Sequence, residues 1–182
     1  EKKWRQHDMN ATDSRYPSDS SVHRLFEAQA AQTPTATAAE CDGTSVTYGE
    51  LERRANQLAR HLLGLNLRPG RIAVATERSL DMLVALLAVM KAGYAYVPLD
   101  SHQPPARLKQ ILDTADVSAV ICRNDEVAGM DVGQAAIIRL KDCAAVLEAG
   151  SSDPVQNLPS EHGSDRAAYV IFTSGSTGTP KG

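Results

Sequence analysis

The residues best suited to chemistry form one short segment, 173–182, which combines glycines, hydroxyl side chains and a lysine. Glycine lets the backbone come close to an anion and turn its N–H groups toward it. Serine and threonine add hydroxyl donors, and a lysine ammonium adds positive charge. This combination predicts a phosphate-binding loop, whose contributing residues would be Thr173, Ser174, Gly175, Ser176, Thr177, Gly178 and Lys181.

This segment differs from a Walker A loop, which has four residues between its first glycine and a Gly-Lys pair followed by Ser or Thr. Here Gly175 and Gly178 are three positions apart, and Lys181 lies between Pro180 and Gly182. A flexible linker rich in serine and glycine would have a similar composition. The apolar stretch directly before the segment and its Pro-Lys-Gly ending favour a phosphate loop over a linker.

The elements that must position this loop are visible as alternating helix and strand patterns upstream of it. A helix begins near Val22 and ends before Pro34, and a hairpin around Asp42-Gly43 leads into a helix with a Thr47–Glu50 capping box. The remaining predicted ranges are strand 71–76, helix 79–92, strand 94–99, helix 105–115, strand 117–122, a possible strand 135–140, a polar loop 148–165 and a buried strand 167–173.

This order of elements predicts an α/β fold with a mostly parallel sheet and crossover helices. The glycine-rich loop then follows the carboxyl end of a strand, which is where open α/β sheets bind their ligands. Position and composition therefore lead to the same expectation, an anion site at one edge of the sheet.

Overall composition argues against several other functions. The chain has 19 Lys and Arg against 22 Asp and Glu, a net charge of −3, whereas a general nucleic-acid binder would show a basic surface. No apolar run reaches the roughly 20 residues that cross a bilayer. Cys41, Cys122 and Cys143 match no zinc-ligand spacing, which predicts free thiols in a reducing cytoplasm. Because the 182 residues begin without Met, we expect an excerpt of a longer chain.

Three segments resemble a known family. Residues 173–182 match the phosphate-loop signature of the adenylate-forming enzymes over all ten positions. Residues 47–59 and 90–100 resemble the first and second core motifs of the adenylation domains of nonribosomal peptide synthetases. The resemblance implies that 1–20 is a connector from a preceding condensation-type domain, and that 21–182 is the N-terminal portion of the large subdomain of an adenylation domain, truncated after the phosphate loop.

The same resemblance implies the activity. ATP, with Mg²⁺, and an amino acid would give an aminoacyl-adenylate and pyrophosphate, and the acyl group would pass as a thioester to the phosphopantetheine of a carrier domain. The seven loop residues would hold the β- and γ-phosphates. Expected partners are the amino-acid substrate and the peptidyl carrier and condensation domains of the same synthetase, with no nucleic acid and no membrane. The family's catalytic lysine and aspartate lie beyond Gly182, so the chain alone is expected to hold no catalytic residue and no metal ligand.

Two alternatives stay open at this point. The chain could be a fragment of an acyl- or aryl-CoA ligase of the same superfamily, or a truncated chain without a function. One departure from the family pattern follows Asp100, where Ser101-His102-Gln103-Pro104 replaces the usual Pro, variable residue, aromatic and Pro.

Overall fold

A computed structural model describes residues 20–154, 167–173 and 182 of this chain. The connector predicted for 1–20 lies outside the described residues except for its last residue, and so do loop residues 174–181. Among the described residues, the helices and strands in chain order are α1 Val22–Gln32, β1 Thr37–Cys41, β2 Thr44–Thr47, α2 Tyr48–Gly64, β3 Arg71–Val74, α3 Leu80–Lys91, β4 Ala95–Pro98, α4 Pro105–Ala115, β5 Val117–Cys122, β6 Ala136–Arg139 and α5 Leu140–Ala149.

A four-stranded parallel sheet forms the centre of the structure, with the strand order β4-β3-β5-β6. Helix α3 connects β3 to β4, and α4 connects β4 to β5, so the expected parallel sheet with crossover helices is confirmed. All six residues of β5 are buried. A strand in the interior of such a sheet has both faces covered, and its sequence is therefore a continuous apolar run rather than an alternating one.

Apolar clusters cover both faces of the sheet. Ile72 and Val74 of β3 point into one cluster, which α2 and α3 complete. Ala73 lies between them in sequence and points into the second cluster, which includes Leu108 and Leu112 of α4. Successive residues of a strand alternate between its faces, so one short strand contributes to both layers.

Several local features were correctly predicted from the sequence. Asp42 and Gly43 both have positive φ, +50° and +73°, as the primed turn of a tight hairpin requires. The Ser79 Oγ accepts the Met82 N–H at 3.2 Å at the start of α3. Gly93 ends that helix with φ +82°, a left-handed conformation that glycine adopts without steric cost. Ser79 and Gly93 thereby mark the two ends of α3, the crossover helix between β3 and β4.

The capping box at the start of α2 is only half formed. The Thr47 Oγ1 accepts the Glu50 N–H at 3.2 Å, as predicted. The Glu50 carboxylate does not return to Thr47 but accepts hydrogen bonds from Arg53 at 2.7 and 2.8 Å and from Arg54 at 2.6 Å. The hydrogen bond from Arg53 is the main reason that the pKa of Glu50 is lowered to about 2.

We expect the Glu50 carboxylate to make the stability of the fold depend on pH in the acid range. Its pKa is about 2 in the folded protein against 4.5 for the free side chain, so its contribution is complete above pH 4.5 and is lost as the pH falls toward 2. Glu50→Gln keeps the capping N–H and removes the charge. The free energy of unfolding should therefore differ between the wild type and Glu50→Gln at pH 7, and the difference should vanish near pH 2. A difference that is constant from pH 7 to pH 2 would contradict this assignment.

A buried lysine joins the first three helices. The Lys91 side chain is 0% exposed, and its Nζ lies 2.6 Å from Glu27 Oε1 on α1 and 2.9 Å from Glu52 Oε1 on α2. Asn56 Nδ2 also donates to Glu52 Oε1, at 3.0 Å. Glu52 Oε2 is buried and has no hydrogen-bond partner in the part of the chain that the structure describes. Glu27 Oε2 also accepts a hydrogen bond from the exposed Arg24 at 3.1 Å, so Glu52 is the carboxylate that depends on Lys91 as its cation among the described residues.

Two predictions made from the sequence need correction. The segment 167–173 is not a buried strand, because Tyr169 and Ile171 are 53% and 54% exposed and the segment pairs with β4 through one bridge, Tyr96 to Tyr169. Val170 and Phe172 pack against the second cluster, so only one face of the segment is covered. The apolar composition indicated burial, but it could not indicate that the segment lies outside the edge strand β4, where one of its faces stays open.

The second correction concerns residues 140–149, where no helix was predicted although α5 occupies them. Leu140, Cys143 and Leu147 pack from this helix against the first cluster. Their i, i+3, i+7 spacing was the available signal, but no residue of α5 is fully buried. The segment after it is held against α2, since Gln57 Nε2 donates to the Gly150 carbonyl at 3.2 Å and Arg60 donates to the carbonyls of residues 153 and 154 at 3.1 Å.

Candidate functional site

A cavity of about 510 Å³ opens at the carboxyl ends of β3 and β4, beside the segment 167–173. Its walls combine apolar side chains, such as Phe172, with the polar side chains of the two loops that leave the strands. The carboxyl ends of parallel strands are the usual ligand edge of an open α/β sheet. The cavity and the start of the predicted phosphate loop therefore lie at the same edge of the sheet.

Two polar side chains of this cavity pair with each other, and a third accepts a backbone N–H. The His102 Nε2 lies 3.3 Å from Glu77 Oε1, and both side chains are largely exposed. Asp100 Oδ1 accepts the His102 N–H at 3.1 Å and stabilises the turn after β4. The buried Thr76 Oγ1 has no hydrogen-bond partner among the described residues. These groups can bind and orient a polar ligand, but they contain no paired nucleophile and base.

The start of the glycine-rich segment is fixed to helix α4. Arg107 Nη2, in the first turn of that helix, donates to the Thr173 carbonyl oxygen at 3.5 Å. Val170 and Phe172 pack against the cluster that includes Leu108 and Leu112 of the same helix. A hydrogen bond from α4 and apolar packing against the second cluster thus position the residue at which the segment begins.

The end of the glycine-rich segment returns to the same place. A Cβ atom built on Gly182 would lie 2.9 Å from two Phe172 ring carbons and 2.9 Å from Val170 Cγ1, closer than side chains normally approach. Only a residue without a side chain fits there unless its neighbours move. Because Phe172 directly precedes Thr173, Gly182 lies close to the start of the segment.

Of the seven predicted phosphate-binding residues, the structure describes Thr173 alone. Thr173 lies at the carboxyl edge of the sheet, where the prediction expects it. The other six lie outside the described residues and stay predictions: Ser174, Gly175, Ser176, Thr177, Gly178 and Lys181. Sequence reasoning missed Arg107 and Thr76, and the one available signal was the position of Arg107 in the first turn of a predicted helix beside the loop.

Neither a metal centre nor a reactive thiol is found in the described part of the chain. No group of three or more His, Cys, Asp or Glu side chains there could hold a metal ion. All three cysteines are free, and burial raises the pKa of Cys122 to about 11, which disfavours the nucleophilic thiolate. Among the described residues, no helix is long and apolar enough to span a membrane.

The chain is similar in sequence to members of one enzyme family. The family model for AMP-binding enzymes matches residues 26–182. Malpinin synthetase from Mortierella alpina is 40% identical over 176 residues, and bacitracin synthase 3 from Bacillus licheniformis is 36% identical over 185 residues. The two alignments cover 96% and 100% of this chain but only 2% and 3%, respectively, of the two relatives, so the chain spans a small part of the proteins it matches.

Solved structures of related proteins share the fold of this chain. The nonribosomal peptide synthetase FmoA3 (S1046A), in its α-methyl-L-serine-AMP-bound form, superposes with a TM-score of 0.80 and 28% identity over 96% of this chain and 19% of its own. The N-terminal subdomain of NpsA from Klebsiella oxytoca superposes with a TM-score of 0.77 and 26% identity over 90% of this chain and 41% of its own. The α/β architecture expected from the sequence is thus the architecture of an N-terminal subdomain of this kind.

Proposed function

This chain belongs to the AMP-binding enzyme family, and we propose that it forms the N-terminal part of an amino-acid-activating adenylation domain in a nonribosomal peptide synthetase. In the complete domain, an amino-acid carboxylate attacks the α-phosphate of ATP and releases pyrophosphate. The aminoacyl group of the adenylate then passes to a phosphopantetheine thiol on a carrier domain. The observation that carries this proposal is the near-complete alignment with peptide synthetases, which covers at least 96% of the chain.

The proposed task of this chain is to hold the β- and γ-phosphates of ATP while pyrophosphate forms as the leaving group. Thr173, Ser174, Ser176 and Thr177 donate hydrogen bonds, Gly175 and Gly178 let the backbone approach, and Lys181 adds charge. Charge neutralisation and positioning account for most of the rate enhancement in reactions of phosphoryl groups. Two features of the structure fit this task, namely the position of Thr173 at the ligand edge of the sheet and the close packing that leaves no room for a side chain on Gly182.

Magnesium would enter with ATP and neutralise part of the phosphate charge. Because the described residues contain no group of three candidate ligands, we assign none of them to the metal. The family's catalytic lysine and aspartate belong to the part of the domain that follows Gly182.

We propose the same domain boundaries as the sequence suggests, with residues 1–20 as a connector from a condensation domain and 21–182 as the start of the adenylation domain. The partners are then the condensation and peptidyl carrier domains of one synthetase, together with the amino-acid substrate. Three cysteines without a disulfide fit a protein of the reducing cytoplasm.

ATP–pyrophosphate exchange tests this function directly. The complete adenylation domain that contains these residues should catalyse exchange dependent on one amino acid, or a few related ones, from a panel of amino acids. The 182 residues alone should give none, because the groups that bind the amino acid and adenine lie beyond them. Acyl and aryl acids with CoA serve as the control panel. Exchange with those acids alone would favour a CoA ligase, and no exchange with either panel would overturn the proposal.

A further inference from the structure

We infer that Arg107 is a positioning residue for the phosphate loop, which it holds through the main-chain carbonyl of Thr173. The inference rests on the proposed function, since it assigns a role within the ATP site of an adenylation domain. Arg107 lies on a neighbouring helix, 66 residues before Thr173 in the sequence, and is not part of the glycine-rich segment.

The contacts of Arg107 distinguish it from the other cation on its helix. Lys109 pairs with Asp131 at 2.7 Å and with Asp113 at 3.6 Å, and both carboxylates are exposed. Arg107 pairs with no carboxylate among the described residues, and its hydrogen bond goes to the Thr173 carbonyl oxygen at 3.5 Å. A guanidinium has five N–H donors in a fixed planar arrangement, so its charge and remaining donors stay available at the start of the loop.

The contact between Arg107 and Thr173 lies at the start of the glycine-rich segment, where it can restrain the direction of the chain. Val170 and Phe172 pack against the second apolar cluster, to which α4 contributes, and such packing is not directional. The hydrogen bond from Arg107 adds direction, because it orients the Thr173 carbonyl oxygen toward the first turn of α4. Arg107 therefore supplies a directional contact at the residue where the glycine-rich segment begins.

The position of Gly182 beside Phe172 links the end of the loop to the residue that Arg107 holds. A Cβ atom built on Gly182 would lie 2.9 Å from the Phe172 ring, so the end of the segment lies beside the residue that precedes Thr173. A shift of Thr173 away from α4 would move both ends of the loop together. Arg107 should therefore affect how well the loop fits the phosphates of ATP, and it should leave the binding of the amino acid unchanged.

The test compares variants of Arg107 in the complete adenylation domain. Arg107→Met keeps the length of the side chain and removes its donors, and we expect a rise of about tenfold in the KM for MgATP, the equivalent of one hydrogen bond to a correctly placed group. The kcat and the KM for the amino acid should stay within about twofold of the wild type. Arg107→Lys retains a charged donor and should recover most of the loss. Lys109→Met is the matched control on the same helix and should leave both KM values unchanged.

A second measurement does not depend on activity. Hydrogen–deuterium exchange of the peptide that covers 167–182 should be faster in Arg107→Met than in the wild type, and unchanged in Lys109→Met. If the wild-type domain shows no amino-acid-dependent exchange of pyrophosphate, the proposed function fails while this measurement still decides the role of Arg107. An Arg107→Met variant with a KM for MgATP within twofold of the wild type, or with unchanged deuterium uptake in this peptide, would overturn the inference.

Discussion

Lys91→Met should lower the free energy of unfolding by about 3–5 kcal/mol, the cost of breaking a buried ion pair. Glu52 would lose its one cation among the described residues, whereas Glu27 would keep its contact with the exposed Arg24 at 3.1 Å. The Lys91 side chain is 0% exposed and lies within 2.9 Å of carboxylate oxygens of both Glu27 and Glu52. Methionine fills a similar volume, so loss of packing contributes little to the expected change. Chemical denaturation of the wild type and the variant at pH 7 measures the difference.

Two comparisons separate the ion pair from other effects of the substitution. Lys109→Met removes a lysine that is 45% exposed and paired with two exposed carboxylates, and it should leave the free energy of unfolding nearly unchanged. Adding Glu27→Gln and Glu52→Gln to Lys91→Met removes the uncompensated charges and should restore part of the lost stability. A loss below about 1 kcal/mol in Lys91→Met, or a triple variant less stable than Lys91→Met alone, would show that the buried pairs do not connect the three helices as described.

Combining Ser176→Ala with Thr177→Val should lower the kcat/KM for MgATP of the complete adenylation domain by about 10²–10⁴-fold. Each hydroxyl is proposed to donate a hydrogen bond to a charged phosphate oxygen, and such a bond contributes about 1.5–3 kcal/mol. The loss should be largest for ATP, while the KM for the amino acid should change little. Steady-state pyrophosphate exchange at varied MgATP measures both quantities.

The matched control for this double variant is Thr179→Val, in the same loop but outside the proposed phosphate-binding set. It should stay within about threefold of the wild type. Equal losses in Thr179→Val and in the double variant would mean that the loop is sensitive to any change in its hydroxyls. A double variant within threefold of the wild type would exclude Ser176 and Thr177 as phosphate ligands.

The elements that were predicted correctly depend on neighbouring residues alone. The positive φ values at Asp42-Gly43, the Ser79 cap and the Gly93 terminus follow from side chains and backbone groups within four positions of one another. The parallel sheet also followed, since alternating strands and helices leave few other arrangements. The helix α5 was missed because its amphipathic pattern is weak and none of its residues is fully buried.

For the candidate site, the sequence by itself predicted the chemistry of the loop, because glycine, hydroxyl and lysine side chains directly after an apolar segment are typical of phosphate binding. The tertiary structure alone decided that Thr173 is held by Arg107 and that Gly182 closes against Phe172. It also decided that Lys91 joins Glu27 and Glu52, which are 64 and 39 residues away. Contacts over such separations depend on how helices pack on the sheet, and local periodicity carries no information about which partners that packing brings together.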